Sequence, residues 1–565
     1  MGGPKRMRLS IAGRLSVLLA LMSCIAQGAS GAALTDRQHT SIAEPRPSDV
    51  PSDAVLEARG TVVGKIEFDT RNLFDSSDPR ENVPLFRLAN RLHIRTKRST
   101  IAAQLLFATG ERYNGHELTE TERNLRKLPY IYDARVVPVR YHDGRVDIKV
   151  ITKDVWTLSP GISFGRAGGA NNSQFDIQEE NFLGWGKTLE FSRGRDVDRS
   201  TNSFLWGDRN VFGSRWTDRL IYAQSSDGKQ RSLQLVRPFY SLESKWSVQL
   251  SAQEYDRTVS RYALGKIGDQ FNDDETSYEF SDGISKGLQN GWTRRWLAGM
   301  RFTRDIFAAT PGTSAPARTL PPNRTLSYPF VGFDILQDDY EKIGDLNQIG
   351  RTEDLYLGTE VTGELGISEP AFGALRDAVM LAASARTGFQ FDSRQLLFLT
   401  SNFSSRVERG RTRNLIVDGS VNYYWRWHPD WVLYASFNGT VTDALDPDAQ
   451  LLIGGDSGLR GYPLRYEAGT SRALVTIEQR VYTDWYPFRL ARVGAAAFAD
   501  VGRTWGSEVI GNSDQGLLSD IGFGLRLGNT RSGLGNVLHI DVAVPIGAPA
   551  GIAKVQLLIQ TMQSF

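Results

Sequence analysis

Gly454-Gly455-Asp456-Ser457-Gly458-Leu459-Arg460-Gly461-Tyr462-Pro463 is the stretch on which the reading of this 565-residue chain turns. It lies in a long connection between two alternating, strand-like runs. Glycine lets a backbone fold tightly and approach other groups closely. An arginine set among glycines presents a rigid, permanently charged fork that seeks carboxylates. The same letters contain Gly455-Asp456-Ser457-Gly458, which could be read as the nucleophile turn of a serine hydrolase. Such a site needs a histidine base held by a carboxylate. The six histidines are His39, His93, His116, His142, His428 and His539. They fall in a linker, a small N-terminal module, a tight turn and a late strand, and no local context marks any of them as a base. The hydrolase reading fails, and Arg460 is the residue that needs an explanation.

Composition narrows the alternatives. A net charge of +2 carries no nucleic-acid footprint. With 23% charged residues and a mean hydropathy of −0.32, the chain looks soluble. A membrane β-barrel has the same average, because lipid-facing and lumen-facing residues alternate along each strand. Residues 1–33 read as a secretory signal: Lys5, Arg6, Arg8 and Arg14 precede an apolar run from Leu15 to Ala26, followed by small residues. The single cysteine, Cys24, lies inside it, so the mature chain is expected to lack disulfides. No later apolar run is long enough for a spanning helix. An exported chain of this kind is either soluble outside the inner membrane or a barrel in an outer one.

Residues 34–59, rich in Pro, Ser, Asp and Glu, read as a disordered linker. Residues 60–155 read as a small α+β module: a strand at Val62–Phe68, helices capped at Ser99 and at the capping-box pattern Thr119-Glu120-Thr121-Glu122, then strands Ala134–Tyr141 and Arg145–Val150 around His142-Asp143-Gly144. From residue 156 to 565 the character changes. All twelve tryptophans lie here, with glycines and short alternating runs. Phe239-Tyr240, Trp292, Trp296, Trp425, Trp427 and Trp431 fall at strand ends, as in the aromatic girdles of a barrel. The segment accommodates sixteen transmembrane strands of roughly 9–11 residues. The Pro-rich run Thr310–Pro329 is expected to be one external loop, and the acidic pairs Asp273-Asp274 and Asp338-Asp339 to be solvated. Lys187-Thr188 after Gly186 lacks the glycine spacing of a phosphate loop, and His116-Glu117 lacks the second histidine of a zinc protease. No catalytic, metal or cofactor residues are assigned.

In this order of motifs the chain resembles the BamA/TamA superfamily of outer-membrane assembly and secretion barrels. The module resembles a POTRA domain, at Gly110-Glu111-Arg112-Tyr113-Asn114 and Thr119–Arg126. The start of the barrel resembles the family at Glu180-Asn181-Phe182-Leu183-Gly184-Trp185-Gly186. Leu459-Arg460-Gly461-Tyr462 matches its Val-Arg-Gly-Phe/Tyr tetrad, Glu478-Gln479-Arg480 and Phe498-Ala499-Asp500-Val501-Gly502 match two strand motifs, and Phe565 a terminal assembly signal. The resemblance implies a membrane all-β fold with one POTRA module before the barrel, and a loop folded back into the lumen with Arg460 bonded to Glu478 and Asp500. Strand parity agrees: with Val475, Ile477, Ala497 and Ala499 outward, Glu478, Arg480, Phe498, Asp500 and Gly502 point inward. It further implies a non-enzymatic factor, anchored in outer-membrane lipid with its module in the periplasm, that inserts or translocates unfolded polypeptide clients with accessory lipoproteins as partners. The alternative is a passive channel or surface-exposed binding barrel. The first barrel strand, near Pro160-Gly161, is expected to pair weakly with the last, from Lys554 to Phe565.

Overall fold

The computed structural model describes residues 42, 44–312, 320–349, 351–506, 514–529, 531 and 537–562, with the side chains of 160–164 excepted. The expected signal segment with Cys24, and Phe565, lie outside the described residues.

The N-terminal module contains α1 (Asp53–Ala58), β1 (Val62–Arg71), α2 (Pro84–Leu92), α3 (Arg98–Ala102), α4 (Gly115–Arg126), β2 (Ile131–His142) and β3 (Arg145–Asp154). Its sheet has the order β1-β3-β2, with β1 parallel and β2 antiparallel to the central β3. Leu56, Val63, Leu125, Ile131 and Ile148 meet in its core with Tyr130. Two expectations are corrected here. The segment expected to be linker up to residue 59 is in part structured, because Leu56 on α1 is completely buried in that core. The second long helix starts at Gly115 rather than Thr119. Asn114 caps it by accepting the N–H of His116 at 3.0 Å, so Thr119 sits inside the helix and donates to Gly115 O.

Beyond Trp156 the chain winds into a closed antiparallel barrel, from its first strand Leu158–Ala167 (β4) to its last, Gln556–Met562. Among the described residues it has twenty strands, not sixteen. The difference lies in the connections. Leu158–Ala167, Ala170–Glu179, Lys187–Arg195, Ser200–Asp208, Thr217–Ser225 and Gly228–Arg237 are short strands that follow one another through connections of two to eight residues, and so leave room for more strands. The run expected to be one loop up to Pro329 also contributes a strand, Arg324–Gln337, in which Pro329 faces Met300. Asp273 and Asp274 are strand residues, the former buried.

The barrel is apolar outside and charged within. Val475, Ile477, Phe523 and Leu525 are exposed, while Glu478, Arg480 and Arg526 on the same strands, and Asp500 on the strand between them, are buried. This is the inverse of a soluble protein and the pattern of a lipid-spanning barrel. Trp296, Trp425, Trp427 and Trp431 are exposed near strand ends. Phe239 and Tyr240 are not girdle residues: Arg295 lies over the first, and the carbonyl of the second accepts from Asn124 of α4.

Candidate functional site: the plugged lumen

The connection between Trp431–Asp443 and Ser471–Tyr482 folds back among inward-facing side chains. Its apolar residues Ile453, Leu459, Tyr462 and Tyr466 form a buried cluster with Leu518. Arg460 then reaches the wall. Its Nε donates to Asp500 Oδ2 at 2.7 Å, its Nη2 to Asp500 Oδ1 at 3.0 Å, and its Nη1 to Glu478 Oε2 at 3.0 Å. The guanidinium carbon lies 3.2 Å from the ring centre of Phe498, so charge pairing and stacking fix the same group. Asp541 stands 3.6 Å away. Glu478 also takes Arg480 Nε at 3.0 Å and Arg526 Nη2 at 3.3 Å. Buried charges of this kind are held only when every member is paired.

The surrounding residues explain the glycines. Gly461 N donates to Asp520 Oδ2 at 2.9 Å, and a Cβ there would meet Asp520 Cβ at 2.6 Å and Pro545 N at 2.9 Å. A Cβ on Gly502 would meet Ile453 Cδ1 at 2.5 Å. Leu459 and Tyr462 are buried on either side of the Arg460-Gly461 pair. The loop also touches the first barrel hairpin, where Leu464 N donates to Gly168 O at 3.1 Å. Asn181, Gly184 and Gly186 sit elsewhere, in the turn between Ala170–Glu179 and Lys187–Arg195 where the module docks. Asn181 Oδ1 accepts Gly186 N at 2.7 Å, its Nδ2 donates to Thr96 Oγ1 at 2.9 Å, and Gly184 O accepts from Lys97 N and Thr100 Oγ1.

A second plug was not anticipated. Between Arg324–Gln337 and Glu360–Ser368 the chain forms a hairpin, Tyr340–Gly344 paired with Thr352–Tyr356. Its tip places Leu346 and Ile349 among Leu396, Tyr424, Val432 and Tyr482 of the lumen wall. Glu353 closes the tip by accepting the N–H groups of Leu346, Asn347 and Gln348 at 2.9–3.1 Å. Tyr482 Oη and Arg480 Nη1 donate to Leu346 O at 2.9 and 3.3 Å, and Arg426 donates to Gly344 O and Asp345 O at 2.7 Å. Arg480 therefore binds the hairpin on one side and Glu478 on the other, and the loop and the hairpin, entering from opposite ends of the barrel, meet through it. The sequence signal was the length of this connection, well beyond a short periplasmic turn.

The hairpin's base is anchored to the module. Arg126 of α4 donates twice to Asp354, at 2.7 and 2.6 Å, and Glu122 pairs with Lys342. Arg123 lies 3.7 Å over the Tyr340 ring. Asp338, expected to be solvated, accepts His116 Nε2 at 2.6 Å. That hydrogen bond raises the His116 pKa above its usual value, while burial beside Glu111 and Glu243 raises Glu117 to about 7.

At the seam, β4 and the last strand share one paired position among the described residues, Ile559 opposite Arg166. On its other side β4 pairs along its full length, from Leu158 with Glu179 to Ala167 with Ala170.

No protein-family model matches the chain, and no curated protein sequence matches it. Among solved structures it is similar to CdiB from Acinetobacter baumannii (11% identity, TM-score 0.44, covering 90% of this chain and 74% of that one). It is similar to CdiB from Escherichia coli (13%, 0.43, 89% and 77%), and to BamA from Haemophilus ducreyi lacking POTRA domains 1–3 (11%, 0.37, 89% and 85%). At these scores the likeness carries no functional argument, and the closed barrel is established by the strand pairing itself.

Proposed function

We propose that this chain is a non-enzymatic outer-membrane factor that inserts or translocates other polypeptides, its N-terminal module acting in the periplasm as a POTRA domain. The observation that carries this reading is the seam. There β4 meets the last strand, with Ile559 opposite Arg166, so the two ends of the barrel's chain are joined only by non-covalent strand pairing. Two strands parted at such a seam each become a template for another chain, since main-chain hydrogen bonds give affinity with little demand on sequence.

Two further features support it. Loop and hairpin obstruct the resting lumen from both ends, which suits a machine that opens on engagement better than a standing pore. In the module, β1 is an edge strand, and Gly64, Ile66 and Phe68 flank a cleft of about 780 Å³ with Leu105 and Phe107 on its far wall. An extended client segment fits such an edge with its apolar side chains in the cleft.

The test is a reversible disulfide across the seam, Arg166→Cys with Ile559→Cys in a Cys24→Ser background. Oxidation should stop deposition of other barrel proteins or export of a client, and reductant should restore it. Full activity in the crosslinked state would sink the reading. Depletion that removes only the chain's own permeability, with the outer-membrane proteome intact, would favour a passive channel instead.

A further inference from the structure

Helix α2 has more apolar surface than its module uses. Phe86 faces inward and stacks on Phe74 with ring centres 4.0 Å apart, and Asn90 Nδ2 donates to Phe74 O at 2.8 Å. Leu85, Leu88 and Leu92 face away, 65%, 48% and 63% exposed, and Ile94 just beyond the helix is 53% exposed. At 3.6 residues per turn the three leucines fall within roughly 60° of arc, a continuous stripe. Arg91, exposed, lies about 90° round the helix from the middle of that stripe. Contiguous exposed apolar surface of this kind marks a contact site.

The neighbourhood identifies what it contacts. After α2 the chain is bonded to the barrel's periplasmic turn at Gly184, through Lys97 N at 3.0 Å and Thr100 Oγ1 at 2.9 Å. That turn exposes Leu183 and Trp185, with Lys97 Nζ 4.2 Å over the Trp185 ring. Before α2 the chain is bonded to the other side of the seam: Arg531 donates to Leu73 O at 2.9 Å and pairs with Glu81, and Arg489 stands 3.6 Å from Glu81 beside the exposed Phe488. The segment carrying α2 therefore bridges the periplasmic end of the seam, continuous with the apolar rim of the barrel. Arg95, Lys97 and Arg98 extend the basic flank. Apolar on one face, cationic at its edge and level with the lipid boundary, α2 has the chemistry of a helix lying in a membrane surface.

We propose that α2 is an interfacial helix that sets its leucine stripe into the periplasmic leaflet beside the barrel seam, with Arg91 at anionic phospholipid headgroups. The proposal rests on the barrel's membrane location and not on any transport activity, so the two readings fail separately. Lipid contact here would hold the module against the seam.

The full chain in a Cys24→Ser background, carrying Leu88→Cys or, as a second probe, Leu92→Cys, is labelled with an environment-sensitive fluorophore. It is reconstituted into phosphatidylethanolamine–phosphatidylglycerol vesicles. Arg145→Cys, at the exposed end of β3 farthest from the barrel, is the control. Heat-modifiable mobility verifies barrel insertion in each sample. The ratio of quenching by doxyl-labelled lipid to quenching by aqueous iodide should be several-fold higher at residues 88 and 92 than at 145. Arg91→Gln should weaken lipid contact about fivefold in these vesicles, and far less in phosphatidylcholine. Equal ratios at 88 and 145 in an inserted barrel would overturn the proposal. So would shielding of residue 88 from both quenchers, which would place the stripe against protein. An arginine variant with unchanged quenching would overturn the headgroup contact.

Discussion

Replacing Arg460 with alanine should release the lumen loop. Asp500 is completely buried and loses both guanidinium donors, keeping Thr476 Oγ1 at 2.8 Å. Glu478 loses one donor but retains Arg480 and Arg526. The unpaired charge therefore falls on Asp500. Removing one member of a buried pair costs about 3–5 kcal/mol, and the surviving Thr476 bond puts this case at the lower end, ~3 kcal/mol. At 1.4 kcal/mol per decade that is on the order of a 10²-fold rise in the undocked population. Proteolysis by proteinase K in detergent reads this population directly when opening and closing are fast. Cleavage within residues 444–470 should accelerate by about two orders of magnitude, with the barrel's heat-modifiable mobility retained. Arg460→Lys keeps the charge but not the two-pronged contact, and should fall between. Adding Asp500→Asn to Arg460→Ala removes the orphaned carboxylate, so the double variant should be less perturbed than the sum of the singles, by a coupling of roughly 0.5–3 kcal/mol. Wild-type protease resistance in Arg460→Ala would refute the reasoning.

Other expectations concern the loop and the hairpin. Gly461→Ala should undock the loop as Arg460→Ala does, because the added Cβ would lie 2.6 Å from Asp520 Cβ; an unchanged cleavage pattern would contradict this. Asp354→Ala strips the two donors of Arg126 of their partner, at about 3 kcal/mol for a pair this buried. It should raise single-channel conductance in planar bilayers as the hairpin loosens, and a conductance like wild type would count against the hairpin as an obstruction. Docking of α4 should weaken as pH rises. The raised pKa of His116, which faces Asp338, Glu120 and Arg123, makes its contribution fully present below about pH 6.5 and lost as pH climbs through its shifted value. Glu117, raised to about 7, acts in the same direction between its ordinary value and 7, since the folded form prefers the proton. Hydrogen exchange of residues 115–126 should therefore be faster at pH 8 than at pH 6 after correction for intrinsic rates, with the slope reduced in His116→Gln. Equal protection at both would refute the assignment.

Local chemistry made much of this molecule legible in its letters. Alternation with period two distinguishes Val475 and Ile477 from Glu478 and Arg480 without any structure, because a strand's faces are set by the backbone alone. The same parity puts Asp500 inward, and a lone arginine among glycines announces a need for carboxylates. The strand number was not legible: Gly168-Gly169 and Asp227-Gly228 mark local turns, but how many strands close a barrel depends on their tilt and stagger, which local composition does not set. Nor was the hairpin at 340–356. Its Leu346 and Ile349 read as ordinary strand or loop residues, and only the closed wall supplies Tyr424, Val432 and Tyr482 to bury them. Asn181, Gly184 and Gly186 were recognisable as a motif, but their work, holding Thr96, Lys97 and Thr100 of the module, depends on partners some 85 residues away. The sequence by itself determined which face of each strand meets lipid and which charges point inward. The tertiary structure alone decided that two plugs meet on Arg480 and that Ile559 stands opposite Arg166 where the barrel closes, because barrel closure brings the strand ends together and strand periodicity does not encode that register.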